Sequence, residues 1–243
     1  MKNRFDKRLE GLEAKVLGQI YELITKIDVV KGQWQLSNRL SPQMTKRLQS
    51  FVIITSSGAS TRIEGSKLSD QEVEELYKKL RIQKFHTRDE QEVGGYLELL
   101  QLVFEQWEDI ALSENHILSF HNQLMKHSSK DEVHKGKYKT GSNRVEARDE
   151  SGNIVGVIFD PTPPFLVEKE MRELIDWTNN SLENQSFHPL FIIANFLFEF
   201  LAIHPFQDGN GRMSRILTNF LLLKNGYAFT PFVSHEKIIE ENK

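Results

Sequence analysis

The sequence predicts a mainly α protein, a bundle of helices that carries one β-hairpin. Three observations predict it. Apolar residues recur at three- and four-residue steps along most of the 243 residues, as they do in helices with one buried face. One stretch, "GKYKTGSNRVEARDESGNIVGVIFDPTPP", replaces that period with alternation and closes on prolines. Helix start and stop residues stand at the edges of the periodic segments.

The elements follow in order. Leu9, Leu12, Val16, Ile20, Leu23 and Ile27 form the stripe of a first amphipathic helix. "LSPQMTKRLQSFVIIT" opens a second, with Ser41 as N-cap and Pro42 at the first helical position. "LSDQEVEELYKKL" opens a third, because Ser69 and Glu72 have capping-box spacing. "RDEQEVGGYLELLQLVFEQW" and "LSENHILSFHNQLMKH" give two more. In the hairpin, alternating residues flank a four-residue turn, Glu150 to Asn153. Three helices follow: "FLVEKEMRELIDWTNN", the apolar run "PLFIIANFLFEFLAI" as a central buried helix, and "GRMSRILTNFLLLKNG", which Asn225-Gly226 stops. Trp34, Trp107 and Trp177 read as core anchors.

Composition narrows the function classes. A chain of this length buries a core large enough for an enzyme. A formal net charge of -3 with no basic stripe argues against nucleic acid as a partner. With Cys 0 there is no disulfide framework, thiolate nucleophile or cysteine metal site. The charged start lacks the apolar region of a secretory signal. Leu190 to Ile203 contains Asn195 and Glu199 and is shorter than the roughly 20 residues of a spanning helix. These features predict a cytoplasmic protein with no membrane partner. His116, His121, His127 and His134 are five to seven residues apart, spacings that do not put two metal ligands on one helical face, and read as polar or packing residues.

The chemistry concentrates in "HPFQDGNGRMSR", His204 to Arg215. Pro205 disfavours helical geometry at His204, so the apolar helix ends there and leaves the imidazole at the core's edge. Asp208-Gly209-Asn210-Gly211 is a turn that opens into the next helix. Unpaired N–H groups and the positive end of the helix dipole make such a junction an anion site, and phosphate is its natural guest. Arg212 and Arg215, three apart, share a helical face and suit phosphate oxygens. Asp208 offers an oxygen of the kind Mg²⁺ takes, and His204 suits a general base near neutrality.

This stretch resembles the Fic family signature, HPFx[DE]GNGRxxR, with every specified position met. The resemblance implies a Fic-type helical bundle with one β-hairpin flap, and a protein adenylyltransferase that moves AMP from ATP to a Ser, Thr or Tyr hydroxyl of a target protein. It implies His204 as the base and Asp208 as the holder of Mg²⁺. Gly209, Asn210 and Gly211 would cradle the phosphates, with Arg212 on the β-phosphate and Arg215 on the γ-phosphate. "KYKTGSNRV" with "GVIFDPTPP" is similar to the family's flap pattern, which places Asn143 and Val145 where a target's backbone would pair. Arg144 stands where an aromatic is common and Glu146 where glycine is.

"STRIEG" is similar to the family's inhibitory motif, [ST]xxxE[GN], with Ser60 and Glu64 four apart on one face. The resemblance pairs Glu64 with Arg215 and implies autoinhibition. Residues 1–85 are then an N-terminal helical region including that motif, and residues 86–243 the Fic catalytic core. The resemblance also implies a longer C-terminal helix at the adenine pocket, so a truncated core and a departure from the family are both open. A homodimer is open too. Two other readings use the same residues: removal of AMP from a modified protein, and a non-enzymatic regulator that binds partners through the flap.

Overall fold

The computed structural model describes residues 3–36, 40–80, 85–130, 132–143, 145–148 and 153–242; for Leu36, 145–148, Ile154 and Ile158 it describes the backbone alone. Arg144 and residues 149–152, the body of the expected hairpin turn, lie outside the described residues. The described chain folds as helices α1 (Arg4–Glu10), α2 (Ala14–Leu36), α3 (Pro42–Ile63), α4 (Asp70–Lys79), α5 (Arg88–Gln106) and α6 (Glu114–Leu124). Strands β1 (Val145–Arg148) and β2 (Ile154–Phe159) follow, then α7 (Pro164–Glu183), α8 (Pro189–Ile203), α9 (Asn210–Lys224) and α10 (His235–Glu241). None of the described helices is long and apolar enough to cross a membrane.

The caps sit where the sequence puts them. Ser41 accepts from the Met44 N–H with Pro42 in the first turn, and Ser69 and Glu72 close a capping box. Asn225 ends α9, and Gly226 turns the chain at φ +82°. The two strands pair antiparallel, Val145 opposite Phe159 and Arg148 opposite Ile154, as one hairpin.

Three expectations need correction. The stripe from Leu9 to Ile27 is broken: α1 ends at Gly11, whose N–H caps Leu9 and Lys7 carbonyls, and α2 starts at Ala14. Glycine at that position makes the break inexpensive. Only Trp177 among the tryptophans is fully buried, donating to Asp6 from its indole N–H; Trp34 and Trp107 are half-buried, and Trp34 packs on Phe232 at 4.8 Å. The apolar helix α8 is not wrapped on all sides. Its Phe196, Phe200 and Ile203 are buried, whereas Phe198 stays 52% exposed under the Arg8 guanidinium at 4.1 Å.

The element surrounded by others is α9, which packs on α3, α5, α6 and α8. It buries Met213, Ile216, Leu217, Phe220 and Leu221. Since α9 follows directly from the signature loop, the core fixes that loop from below. The close crossing of α5 and α6 adds to this rigidity: a Cβ on Gly95 would collide with the Leu124 carbonyl, a backbone atom that cannot yield. Gly95→Ala should therefore cost about 3 kcal/mol or more in chemical denaturation. Gly18→Ala, in α2 with open space around it, should instead stabilise by roughly 0.5–1 kcal/mol.

Candidate active site

The loop between α8 and α9 is closed by one side chain. Asn210 accepts the Phe206 N–H at 2.9 Å and donates back to the Phe206 carbonyl at 2.7 Å. Both ends of its amide are thereby committed to the loop, so what Asn210 offers an anion is its backbone N–H. Gly209 precedes it at φ +84°, a conformation glycine takes without strain, and no side chain caps α9. The first turn of α9 thus keeps its N–H groups and dipole for a guest.

His204 caps α8 in the left-handed conformation, φ 51° and ψ 61°. Pro205 predicted an exit from helical geometry there, and the exit is left-handed rather than extended. Its Nδ1 faces the Leu201 carbonyl at 3.3 Å, so a neutral ring with its proton on Nδ1 leaves Nε2 as a lone pair. Burial holds the imidazole below its ordinary value and the Lys139 charge adds to that, against opposing effects of the Leu201 carbonyl, Glu64 and Asp208. Phe159 of β2 meets the ring edge-on at 6.2 Å.

Asp208 accepts the Gly209 N–H at 2.6 Å and an Arg212 N–H at 3.3 Å through Oδ1; its Oδ2 lies 3.6 Å from Arg88. Arg212 is buried, with Glu92 at 3.3 Å on its other side. Arg215 reaches α3. It donates to the Ser60 hydroxyl at 2.7 Å, the Ser60 carbonyl at 3.0 Å and Glu64 Oε1 at 2.6 Å. Glu64 is the C-cap of α3, and Gly65 at φ +102° follows it in a Schellman turn, with Ser66 N–H on the Thr61 carbonyl and Gly65 N–H on the Arg62 carbonyl. The Glu64 carboxylate lies directly over Gly211, where a Cβ would collide with its Oε1. An anion therefore already sits at the first turn of α9.

So the fold brings Ser60, Glu64, His204, Asp208, Gly209, Asn210, Gly211, Arg212 and Arg215 to one place. Asn143 joins them by donating to the Phe206 carbonyl at 2.8 Å. Val145 lies on β1 beside this stem, its side chain outside the described residues. Residues 111–222 match the description of the Fic/DOC family. The chain carries a Fic/DOC family domain.

Fic relatives share stretches of the sequence and most of the fold. The chain is 41% identical over 86 residues to a probable protein adenylyltransferase of Aquifex aeolicus, covering 35% of this chain and 26% of that protein. It is 30% identical over 140 residues to the protein adenylyltransferase Fic of Nematostella vectensis, covering 56% and 29%. The chain thus spans under a third of either relative. A crystal structure of a Fic family protein from Desulfovibrio desulfuricans superposes with a TM-score of 0.71 at 29% identity, covering 92% of this chain and 62% of that one.

Two residues of the Fic site escape sequence reading. His121 is buried and stacks on Phe206 at 3.8 Å. Its Nδ1 accepts the Gly136 N–H at 3.1 Å, which fixes the tautomer that donates from Nε2 to the Asp208 carbonyl, also 3.1 Å away. It packs, as expected, but under the signature loop. The second is Lys139, buried with its ammonium on the Ile203 carbonyl and Asn143. His121 carries no local sequence signal for its contact, and Lys139 lies within "KYKTGSNRV", where its reach across the fold to the Ile203 carbonyl is not readable. His121→Phe would keep the stack and orphan the Gly136 N–H and Asp208 carbonyl, so denaturant unfolding should show a loss of about 1–3 kcal/mol.

Proposed function

We propose that the chain is a protein adenylyltransferase that moves AMP from ATP to a hydroxyl side chain of a target protein, and that Glu64 holds it closed. The observation that carries this reading is the Glu64 carboxylate, seated on Arg215 and over Gly211 at the uncapped start of α9. A carboxylate there takes the place of a phosphate, and the groups that hold it are those that suit phosphate oxygens.

With Glu64 withdrawn, Arg215 turns to the terminal phosphate and the N–H groups of Asn210 and Gly211 to the inner ones. His204 Nε2 takes the proton of the target hydroxyl as its oxygen bonds to the α-phosphorus. The bond from that phosphorus to the bridging oxygen breaks, and pyrophosphate leaves with the electron pair. The chain's contribution is position and fixed charge rather than covalent chemistry. Arg212, held between Asp208 and Glu92, places positive charge behind the phosphates.

The residues fit Mg²⁺ on one carboxylate. Asp208 Oδ2 lies 3.6 Å from Arg88, and among the described residues no three metal-ligating side chains gather, so phosphate oxygens and waters would complete the set. Bound there, Mg²⁺ would offset charge on the phosphates.

Labelled ATP, Mg²⁺ and a cell lysate test the reading. Glu64→Gly should raise labelling at least tenfold over wild type, and adding His204→Ala should abolish it. Equal labelling by wild type and Glu64→Gly would remove the inhibitory role. AMP release from a modified protein by wild type would assign the reverse reaction instead. Because His204 loses its proton below the ordinary histidine value, the base form persists below about pH 6.5. The acid limb of the Glu64→Gly rate profile should therefore fall below that pH.

A further inference from the structure

His204 is held in its left-handed turn from outside the signature. Three consecutive attachments come from residues 139–143, the stem that leads into β1. Lys139 Nζ donates to the Ile203 carbonyl at 3.2 Å, the Lys139 backbone N–H donates to the Pro205 carbonyl at 2.9 Å, and Asn143 Nδ2 donates to the Phe206 carbonyl at 2.8 Å. Lys139 Nζ also donates to Asn143 Oδ1 at 2.6 Å, which joins the attachments into one clamp. The carbonyls before, just after and two after the histidine are all taken by this segment. A non-glycine residue in the left-handed region persists only where its surroundings fix it. Among the described residues only Gln185 shares that conformation with His204 outside glycine.

The lysine is costly where it stands. It is 3% exposed, and among the described residues no carboxylate lies within ion-pair distance of it; its ammonium meets only carbonyl oxygens. Burial pulls it down to about 8, so at neutral pH it is still charged. A methionine would fill the same space without a buried charge but would leave the Asn143 and Ile203 oxygens without this donor.

We propose that Lys139 is the positioning residue of the proton-accepting centre: it clamps the turn that presents His204 and ties that turn to the flap strand through Asn143. Its charge adds to the burial that disfavours the imidazolium. The proposal rests on the reading of His204 as the base. It assigns the flap stem a second task beyond meeting a target, because a displacement of β1 would pass through residues 139–143 to the carbonyls around His204.

The test separates this from the function itself. In the Glu64→Gly background, Lys139→Met, Lys139→Gln and Lys139→Arg are compared by NMR titration of the His204 ring, assigned by its loss in His204→Ala, and by labelling across pH. The groups that face His204, namely Glu64's replacement, Asp208 and the Leu201 carbonyl, are common to all three variants. Lys139→Met and Lys139→Gln should move the His204 midpoint and the acid limb of the rate profile upward, and lower labelling at neutral pH about tenfold or more. Lys139→Arg keeps the charge and should leave the midpoint in place and recover most of the rate. An unmoved His204 midpoint in folded Lys139→Gln would overturn the proposal, as would equal losses in Lys139→Arg and Lys139→Gln. If Lys139→Met does not fold, the Gln and Arg pair decides. If no variant labels anything, the AMP-transfer reading fails, while the His204 titration still decides the role of Lys139.

Discussion

The reciprocal pairing of the Asn210 amide with the Phe206 N–H and carbonyl is the contact on which the site depends. It satisfies the buried Phe206 N–H, which would otherwise stand unpaired at a cost of about 1–3 kcal/mol, and shares the Phe206 carbonyl with Asn143. It also turns Phe206 inward, where the ring lies between His121 and Phe200. From this one knot the remaining geometry follows. His204 precedes the knot, Asp208 lies within it, and α9 begins without a side-chain cap. An unrestrained loop of the same composition would carry the same residues and hold none of them in register.

A second layer of polar contacts, buried at Glu236 and half-buried at Arg62, ties α5 and α9 to α10 and α10 to α3. Burial keeps the Tyr96 hydroxyl protonated well above its ordinary range, so it donates to Glu236 at 3.0 Å, and Asn219 donates to the same oxygen at 2.8 Å. Arg62, near the end of α3, pairs with Glu240 at 2.5 Å and with Asp70 at 2.8 Å. These contacts set the height and rotation of the last turn of α3, and that turn carries Ser60 and Glu64. The 2.6 Å bond from Arg215 to Glu64 joins a nearly buried guanidinium to a carboxylate that is 38% exposed. It is held by a frame that fixes both partners, which is the condition for an ion pair to persist.

The sequence makes the helices legible because each is amphipathic and capped by residues that act locally. Ser41, Ser69 and Asn225 need only neighbours a few positions away, and they sit where the periodicity places them. The break at Gly11 is less legible, because apolar spacing continues across it and a single glycine is equally compatible with a continuous helix. The short helix α10 has no long apolar stripe; Ser234 caps it, and its own Glu236 is buried against Tyr96 and Asn219. Within the site, the signature residues are contiguous and so legible together. Lys139 and His121 are legible only through the fold: each reaches a carbonyl of the signature loop from more than sixty residues away in sequence.

The loop is held from below by the core, through Phe206 and His121, and from above by the flap stem, through Lys139 and Asn143. These two supports differ in kind. The lower one is apolar and closely packed, and packed interiors yield little to small forces. The upper one consists of hydrogen bonds from a stem that continues into a two-stranded hairpin, and such a hairpin is marginal unless something packs on it. The position of the start of α9 is thus set by the rigid side of the molecule, and the orientation of His204 by the compliant side. A target strand laid against β1 would stiffen the compliant side. It would therefore act on His204 without disturbing the start of α9.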